Sequence, residues 1–196
     1  EDVKTRNAIV LWARQGVEAE VKLSTGPLRK WRGDSRARMF KNIDFTDVQA
    51  DIRLGIPKIH GPTQSEALER RQAEETTVRS AVSQIGQATL LAATRADDLT
   101  VYVGATAYNF LSVFLRPRVP EMKANSVLSE NPLHALRLRS SDEARRLFAF
   151  LSSRFAFWWW HTHGDGFHVS RHVLETLPLG TLFGDANYSA RLSDLG

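Results

Sequence analysis

At 196 residues, with 42% hydrophobic and 24% charged side chains, the chain is sized for one domain, or one domain with an attached fragment, of ordinary soluble composition. It has no cysteine, which excludes disulfides and thiolate metal sites and fits a reducing cytoplasm. Its apolar runs fall far short of the roughly 20 residues a membrane span needs, and a net charge of +4 is compatible with nucleic acid without requiring it.

In chain order, Ala8 to Ala13 and Val17 to Leu23 read as two strands about Gln15-Gly16. The second alternates, with Val17, Ala19, Val21 and Leu23 on one face and Glu18, Glu20 and Lys22 on the other. Ser24-Thr25-Gly26-Pro27 then breaks the pattern. Glu20-Val21-Lys22 has the spacing of a metal-dependent nuclease, but that chemistry needs an upstream acid on a neighbouring strand. Asp2 is a poor candidate, so the segment is read as the polar face of a strand. Next comes a basic run, Arg29, Lys30, Arg32, Arg36, Arg38 and Lys41, opposed only by Asp34 and containing Trp31. Such a run supplies phosphate contacts, or is a solvated loop.

Phe45-Thr46-Asp47-Val48 is a plausible short strand, and Gly55 to Pro62 reads as loop. Thr63 and Glu66 form a capping-box pair that predicts a helix running to about Ile85. Glu66, Glu69, Arg70, Glu74 and Arg79 make it polar, a helix expected to pack against little. Leu99 to Gly104 is the strongest strand signal, with Asn109 to Leu115 a second. Between them Gly104-Ala105-Thr106-Ala107 is a small-residue patch, read as a bulged core strand or a contact surface beside Tyr108 and Phe110.

Ser140 and Glu143 open a long helix. Leu147, Phe148, Leu151, Phe155, Trp158 and Trp159 follow at helical spacing as a wide apolar stripe, which makes the helix mainly core. Gly164 suits a left-handed helix end. Beyond it lie His161, His163, Asp165, Phe167, His168, Ser170, Arg171 and His172. Ser170 is a natural N-cap for a short helix to about Leu177, with Pro178 at the exit. The polar turn has three readings. As a recognition loop it offers donors, an acceptor and an aromatic ring to base edges and phosphates, with the second helix's N-terminal amides available to a phosphate. As a metal site it offers His161-x-His163 and His168-x3-His172, with Asp165 adding an oxygen. As structure it is caps plus an Asp165-Gly166 turn.

The order from Phe150 to Gly180, an aromatic helix, then Asp165-Gly166-Phe167-His168, then a Ser-capped helix ending in Leu177-Pro178-Leu179, resembles a known arrangement. It is similar to the specificity region of adenine-N6 DNA methyltransferases of the combined restriction–modification (type IIG-like) family. Residues 1–15 resemble the strand that follows that family's catalytic motifs, and residues 21–40 the link into its target-recognition domain. The likeness is thinnest between Gly61 and Asp98. The family's catalytic signature, Asn/Asp-Pro-Pro-Tyr/Phe, has no counterpart: the nearest segment, Asn131-Pro132-Leu133-His134, lacks the second proline and the aromatic. No GxGxxG follows a predicted strand either.

The resemblance therefore implies the recognition part of a bacterial methyltransferase without its catalytic part. It implies a piece of a longer protein, in keeping with a chain that opens on Glu1. Residues 1–26 would be a strand hairpin edging a missing catalytic domain, and 27–196 the target-recognition domain. The expected fold class is α+β, a mixed small sheet with a long polar helix and a C-terminal aromatic core helix. The expected function is DNA sequence recognition with no turnover of its own. Double-stranded DNA and the parent's catalytic domain would be its partners and the cytoplasm its compartment. S-adenosylmethionine would bind the parent elsewhere, and no cofactor is expected here. Arg29, Lys30, Arg32, Arg36 and Arg38 are the expected phosphate contacts; His163, Asp165, His168, Arg171 and Tyr108 are the expected base or sugar contacts. The rival expectations are a metal-dependent enzyme centred on the His161–His172 turn, and a protein-interaction module docking through its Trp/Phe helix.

Overall fold

A computed structural model describes residues 23–27, 44–49, 51–93, 97–115 and 132–180. The hairpin strands before Leu23 and the basic run from Arg29 to Lys41 lie outside the described residues. The chain is α+β, with helices packed on small antiparallel sheets. No helix among the described residues is long and apolar enough to cross a membrane.

Strand β1 (Leu23–Thr25) pairs antiparallel with β2 (Thr46–Val48), Leu23 opposite Val48. Strand character thus continues through Ser24 and Thr25, where a break was expected. Pairing supplies the reason: the Thr25 hydroxyl donates to the Pro57 carbonyl, and Ser24 to Asp47. This hairpin is stitched to the next helix, because Thr46 Oγ1 accepts from Gly61 N at 2.9 Å.

Helix α1 (Pro62–Gln72) is capped by Gly61, at φ +76° and with no side-chain cap, two residues before the expected capping residue Thr63. The expectation of one polar helix to Ile85 is wrong. The chain leaves the helix at Ala73 and makes a short helical turn, α2 (Val78–Ala81), with Thr77 N donating to Ser80 Oγ at 3.0 Å. It then enters strand β3 (Gln84–Thr89), followed by the turn α3 (Leu90–Ala93). Nor does α1 pack against little: Leu68 is fully buried, and the Arg71 guanidinium lies 5.1 Å over the Phe155 ring.

The main sheet has the order β3-β6-β4-β5, antiparallel throughout, with β4 (Thr100–Gly104), β5 (Val113–Phe114) and β6 (Pro132–Arg137). The strong strand signal at Leu99 to Gly104 is β4, whose Thr100 to Val103 are all buried. Of Asn109 to Leu115 only Val113 and Phe114 pair. β6 was not anticipated, although its Pro132 takes the first strand position, where proline costs no interior ladder bond. Period-two alternation sorts the sheet's two faces. Val101, Val103, Leu136 and Ile85 join the large core with the helices, whereas Tyr102 and Leu133 form a smaller cluster with Ala93.

The expected single aromatic helix is two. α4 (Ser141–Leu151) is capped by Ser140, whose Oγ accepts from Glu143 N at 3.2 Å. Glu143 reaches back to Arg139 N at 3.0 Å. The helix ends where Ser152 folds back onto the Phe148 carbonyl, and Ser153 Oγ then caps α5 (Arg154–His163) at Ala156 N. The break resets the helical phase. Ala156, Trp159, Trp160 and His163 become the buried face of α5, while Phe155 and Trp158 are only partly buried. Burying Trp159 and Trp160, each 1% exposed, contributes on the order of 1.5–3 kcal/mol apiece.

Candidate functional site

The turn after α5 is built by backbone demands. Gly164 is not left-handed, at φ −79°; the left-handed residue is Gly166, at φ +77°. Gly164 is needed for proximity, because a Cβ there would sit 2.5 Å from the Trp160 carbonyl oxygen and 3.1 Å from its indole. Asp165 Oδ1 accepts from Phe167 N at 2.8 Å and from His168 N at 2.7 Å, so the carboxylate ties the loop to itself. Its other oxygen receives Nδ1–H of His168 at 2.7 Å.

Three long-range ties fix this loop against the sheet. The Phe167 carbonyl accepts from Ala107 N at 2.9 Å, and Val169 N donates to the Ala105 carbonyl at 2.8 Å. The Gly104–Ala107 patch is thus where β4 turns to pair with the loop, through the bridge Thr106 to His168. From β6, buried His134 donates Nε2–H to the Val169 carbonyl at 2.6 Å. From α5, Trp160 Nε1 donates to the His168 carbonyl at 2.9 Å.

Four of the sequence-predicted residues meet here. Tyr108, 55% exposed, stands edge-on to Phe167 at 5.2 Å, and Phe167 edge-on to His168 at 4.8 Å. The result is an aromatic ridge ending at His168, whose side chain is 66% exposed beside Asp165 at 46%. His163 is different. At 8% exposure it is not a surface contact but lies in the lining of a cleft of about 390 Å³, with Arg53, Gly164, Asp165, His168 and His172 among the other walls. Arg171 is not among the residues that line the cleft: its Nε donates to Glu175 at 2.9 Å, and Arg79 holds the same oxygen at 3.0 Å. Helix α6 (Arg171–Glu175) has Ser170 Oγ on Val173 N. Five residues are too few for the phosphate-holding N-terminus expected there.

Sequence reasoning missed Arg53, Lys58 and His134. Arg53 is carried by a helical turn at Ile52–Leu54 and is held by Asp51, whose carboxyl its guanidinium pulls below the ordinary range. His172 Nε2 donates to the Arg53 carbonyl at 3.2 Å, which joins this turn to α6. Lys58 runs past the end of α5, its backbone N donating to the Thr162 carbonyl at 2.9 Å. Burial lowers the Lys58 pKa, and the Asp165 carboxylate opposes that shift. The one local clue was the Asp51-x-Arg53 pair.

His163 Nδ1–H donates to the Trp159 carbonyl at 3.1 Å, and its ring lies 4.0 Å from the Trp159 ring. Burial pushes its pKa down to about 4; the Trp159 carbonyl opposes this, and the charges of Lys58 and His172 reinforce it. The ring is therefore neutral at physiological pH. Its Nε2 is buried and has no hydrogen-bond partner among the described residues.

These commitments also bear on a metal. Nδ1 of His163 is taken by Trp159, Nδ1 of His168 by Asp165 and Nε2 of His172 by Arg53. Among the described residues no group of three His, Asp or Glu side chains stands placed to hold an ion. Compared with known protein families, curated proteins and solved structures, the chain matches none of them.

Proposed function

We propose that this chain is a DNA sequence-recognition domain belonging to a bacterial adenine methyltransferase of the combined restriction–modification kind, with no turnover of its own. The observation that carries this reading is the braced loop from Asp165 to Val169. It displays an acceptor, an imidazole and the Tyr108–Phe167 ridge on a rigid support, beside a cleft rimmed by Arg53 and His172. Groups of this kind read base edges and sugars when the backbone beneath them cannot yield. Asp165, His168 and Tyr108 are the contacts proposed from this surface, with His163 acting from within the cleft. Arg171, whose side chain stays 55% exposed while it pairs with Glu175, is proposed with them. Arg29, Lys30, Arg32, Arg36 and Arg38 supply the phosphate contacts. The catalytic domain and its S-adenosylmethionine belong to another part of the parent protein, which works in the cytoplasm.

Duplex-DNA titrations at about 50 and 200 mM salt test the reading, with the full chain and an Arg29/Lys30/Arg32→Ala triple variant. Each phosphate-bound cation adds about 0.9 to the slope of log affinity against log salt, so the triple variant is expected to bind more weakly and to flatten that slope by about 2–3. A folded chain that binds no duplex at the lower salt overturns recognition. An unchanged slope in the variant overturns the phosphate assignment.

A further inference from the structure

The Asp165 carboxylate does more than tie its own loop. Its Oδ1 accepts two backbone amides, from Phe167 and His168, which fixes the direction of the whole group. Oδ2 is thereby aimed at Nδ1 of His168, 2.7 Å away. A carboxylate can only accept, so the neutral imidazole must carry its proton on Nδ1. Nε2 is then a bare lone pair, an acceptor with nothing to donate.

That atom lies at the tip of the ring, farthest from the backbone, on a side chain 66% exposed. It makes no hydrogen bond among the described residues. The ring itself is held from several sides. Phe167 stands edge-on to it at 4.8 Å, and Trp160 Nε1 grips the His168 carbonyl at 2.9 Å. The bridge from Thr106 pairs the same residue with the end of β4. An acceptor of fixed sense and fixed position discriminates between partners; a freely turning imidazole would suit either sense.

We propose that His168 is a specificity-determining residue whose Nε2 accepts the exocyclic amine of an adenine or a cytosine in the major groove, and that Asp165 is the positioning residue that sets this sense. The choice of DNA rests on the recognition reading above; the demand for a donor rests on the Asp165–His168 pair. Adenine N6 and cytosine N4 are the donors that the major groove displays, whereas guanine O6 and N7 and thymine O4 are acceptors. Against those, two lone pairs would face each other where water has been expelled, so guanine and thymine are rejected. The Tyr108–Phe167–His168 ridge, with ring centroids 5.2 and 4.8 Å apart, suits the roughly 12 Å major groove better than the roughly 6 Å minor groove.

The test selects duplexes from a random-sequence pool with the full chain at about pH 8, where imidazole is neutral. Asp165→Asn is the decisive variant. Its amide oxygen still accepts from the Phe167 and His168 amides, so its NH2 faces Nδ1 and forces the ring proton onto Nε2. The expected result is a transition at one position, adenine to guanine or cytosine to thymine, with the other positions unchanged and the preference reversed by about tenfold each way. At that position, deleting the amine alone (purine for adenine, pyrimidin-2-one for cytosine) should weaken wild-type binding about tenfold and leave His168→Ala indifferent. Nitrogen NMR of the free protein should find His168 protonated at Nδ1 in the wild type and at Nε2 in Asp165→Asn. A wild-type ring protonated at Nε2 overturns the proposal, as does an amine deletion felt equally by His168→Ala. A selected sequence that Asp165→Asn leaves intact also overturns it, and leaves DNA recognition standing. Should that variant not fold, the position is the one that His168→Ala relaxes, and the amine deletion there decides. A folded wild type that enriches no duplex removes the recognition reading and this assignment with it.

Discussion

His163 shows how one side chain couples stability to the site. Its pKa falls from 6.5 to about 4 on folding because the charged ring would be buried. The unfolded chain therefore binds more protons than the folded chain between those values, and stability must fall as pH drops through that window. It is fully present above about pH 6.5 and, for this residue, costs about 2 kcal/mol by pH 5. Urea denaturation at pH 7 and pH 5 measures the loss, and His163→Phe should remove most of it. A wild-type curve that is flat over the window would mean that the ring is hydrated. The sequence singled out His163, Asp165 and His168 by their crowding after an aromatic helix, and the structure brings them to one cleft. Their separate fates were not legible. Nothing local says that His163 is buried while His168 is exposed; that follows from the helical phase of α5 and from the sheet behind it.

Of the capping signals, Ser140 and Ser170 both cap as expected, whereas Thr63 gives way to Gly61. Ser153 gives no such signal, because the aromatic stripe runs on at either side of it. Yet it is the residue that starts α5 and sets which face carries His163. Ser153→Ala is expected to cost about 1 kcal/mol by urea denaturation, with Ser153→Asp recovering most of it through the same oxygen-to-amide bond. Equal stability of wild type and the alanine variant would mean that packing of Trp159 and Trp160 alone defines the break. Strands β3 and β6 were harder to read. Gln84-Ile85-Gly86-Gln87-Ala88-Thr89 and Pro132-Leu133-His134-Ala135-Leu136-Arg137 hold few β-branched residues; β3 is a strand because β6 lies beside it, Ile85 opposite Leu136, and β6 because it pairs with both β3 and β4. Between Gln72 and Ile85 the polar residues report exposure, not conformation, so the helical pattern has no force there.

At the scale of the molecule, the question is whether the loop from Asp165 to Val169 behaves as a surface loop or as part of the core. Its partners are distant in sequence: Ala105 and Ala107 after β4, His134 on β6, and Trp160 on α5. A segment tied at both edges to the central strands can open only when they separate, so its amides should exchange in the same cooperative unit as the sheet. Hydrogen exchange by NMR is therefore expected to show Val169 and Ala107 protected to the level of Leu136, while Ile56, 50% exposed, exchanges through local opening. His134→Leu keeps a buried apolar volume but leaves the Val169 carbonyl without its imidazole donor, at a cost of about 1–3 kcal/mol. In that variant, protection should fall more steeply at Val169 and Ala107 than at Leu147 on α4, because only the latch is lost. Uniform loss across all three would make His134 a general core residue. Fast exchange of Val169 in the wild type would show the loop opening by itself, and a loop that opens by itself cannot hold His168 and Tyr108 in a fixed register for recognition.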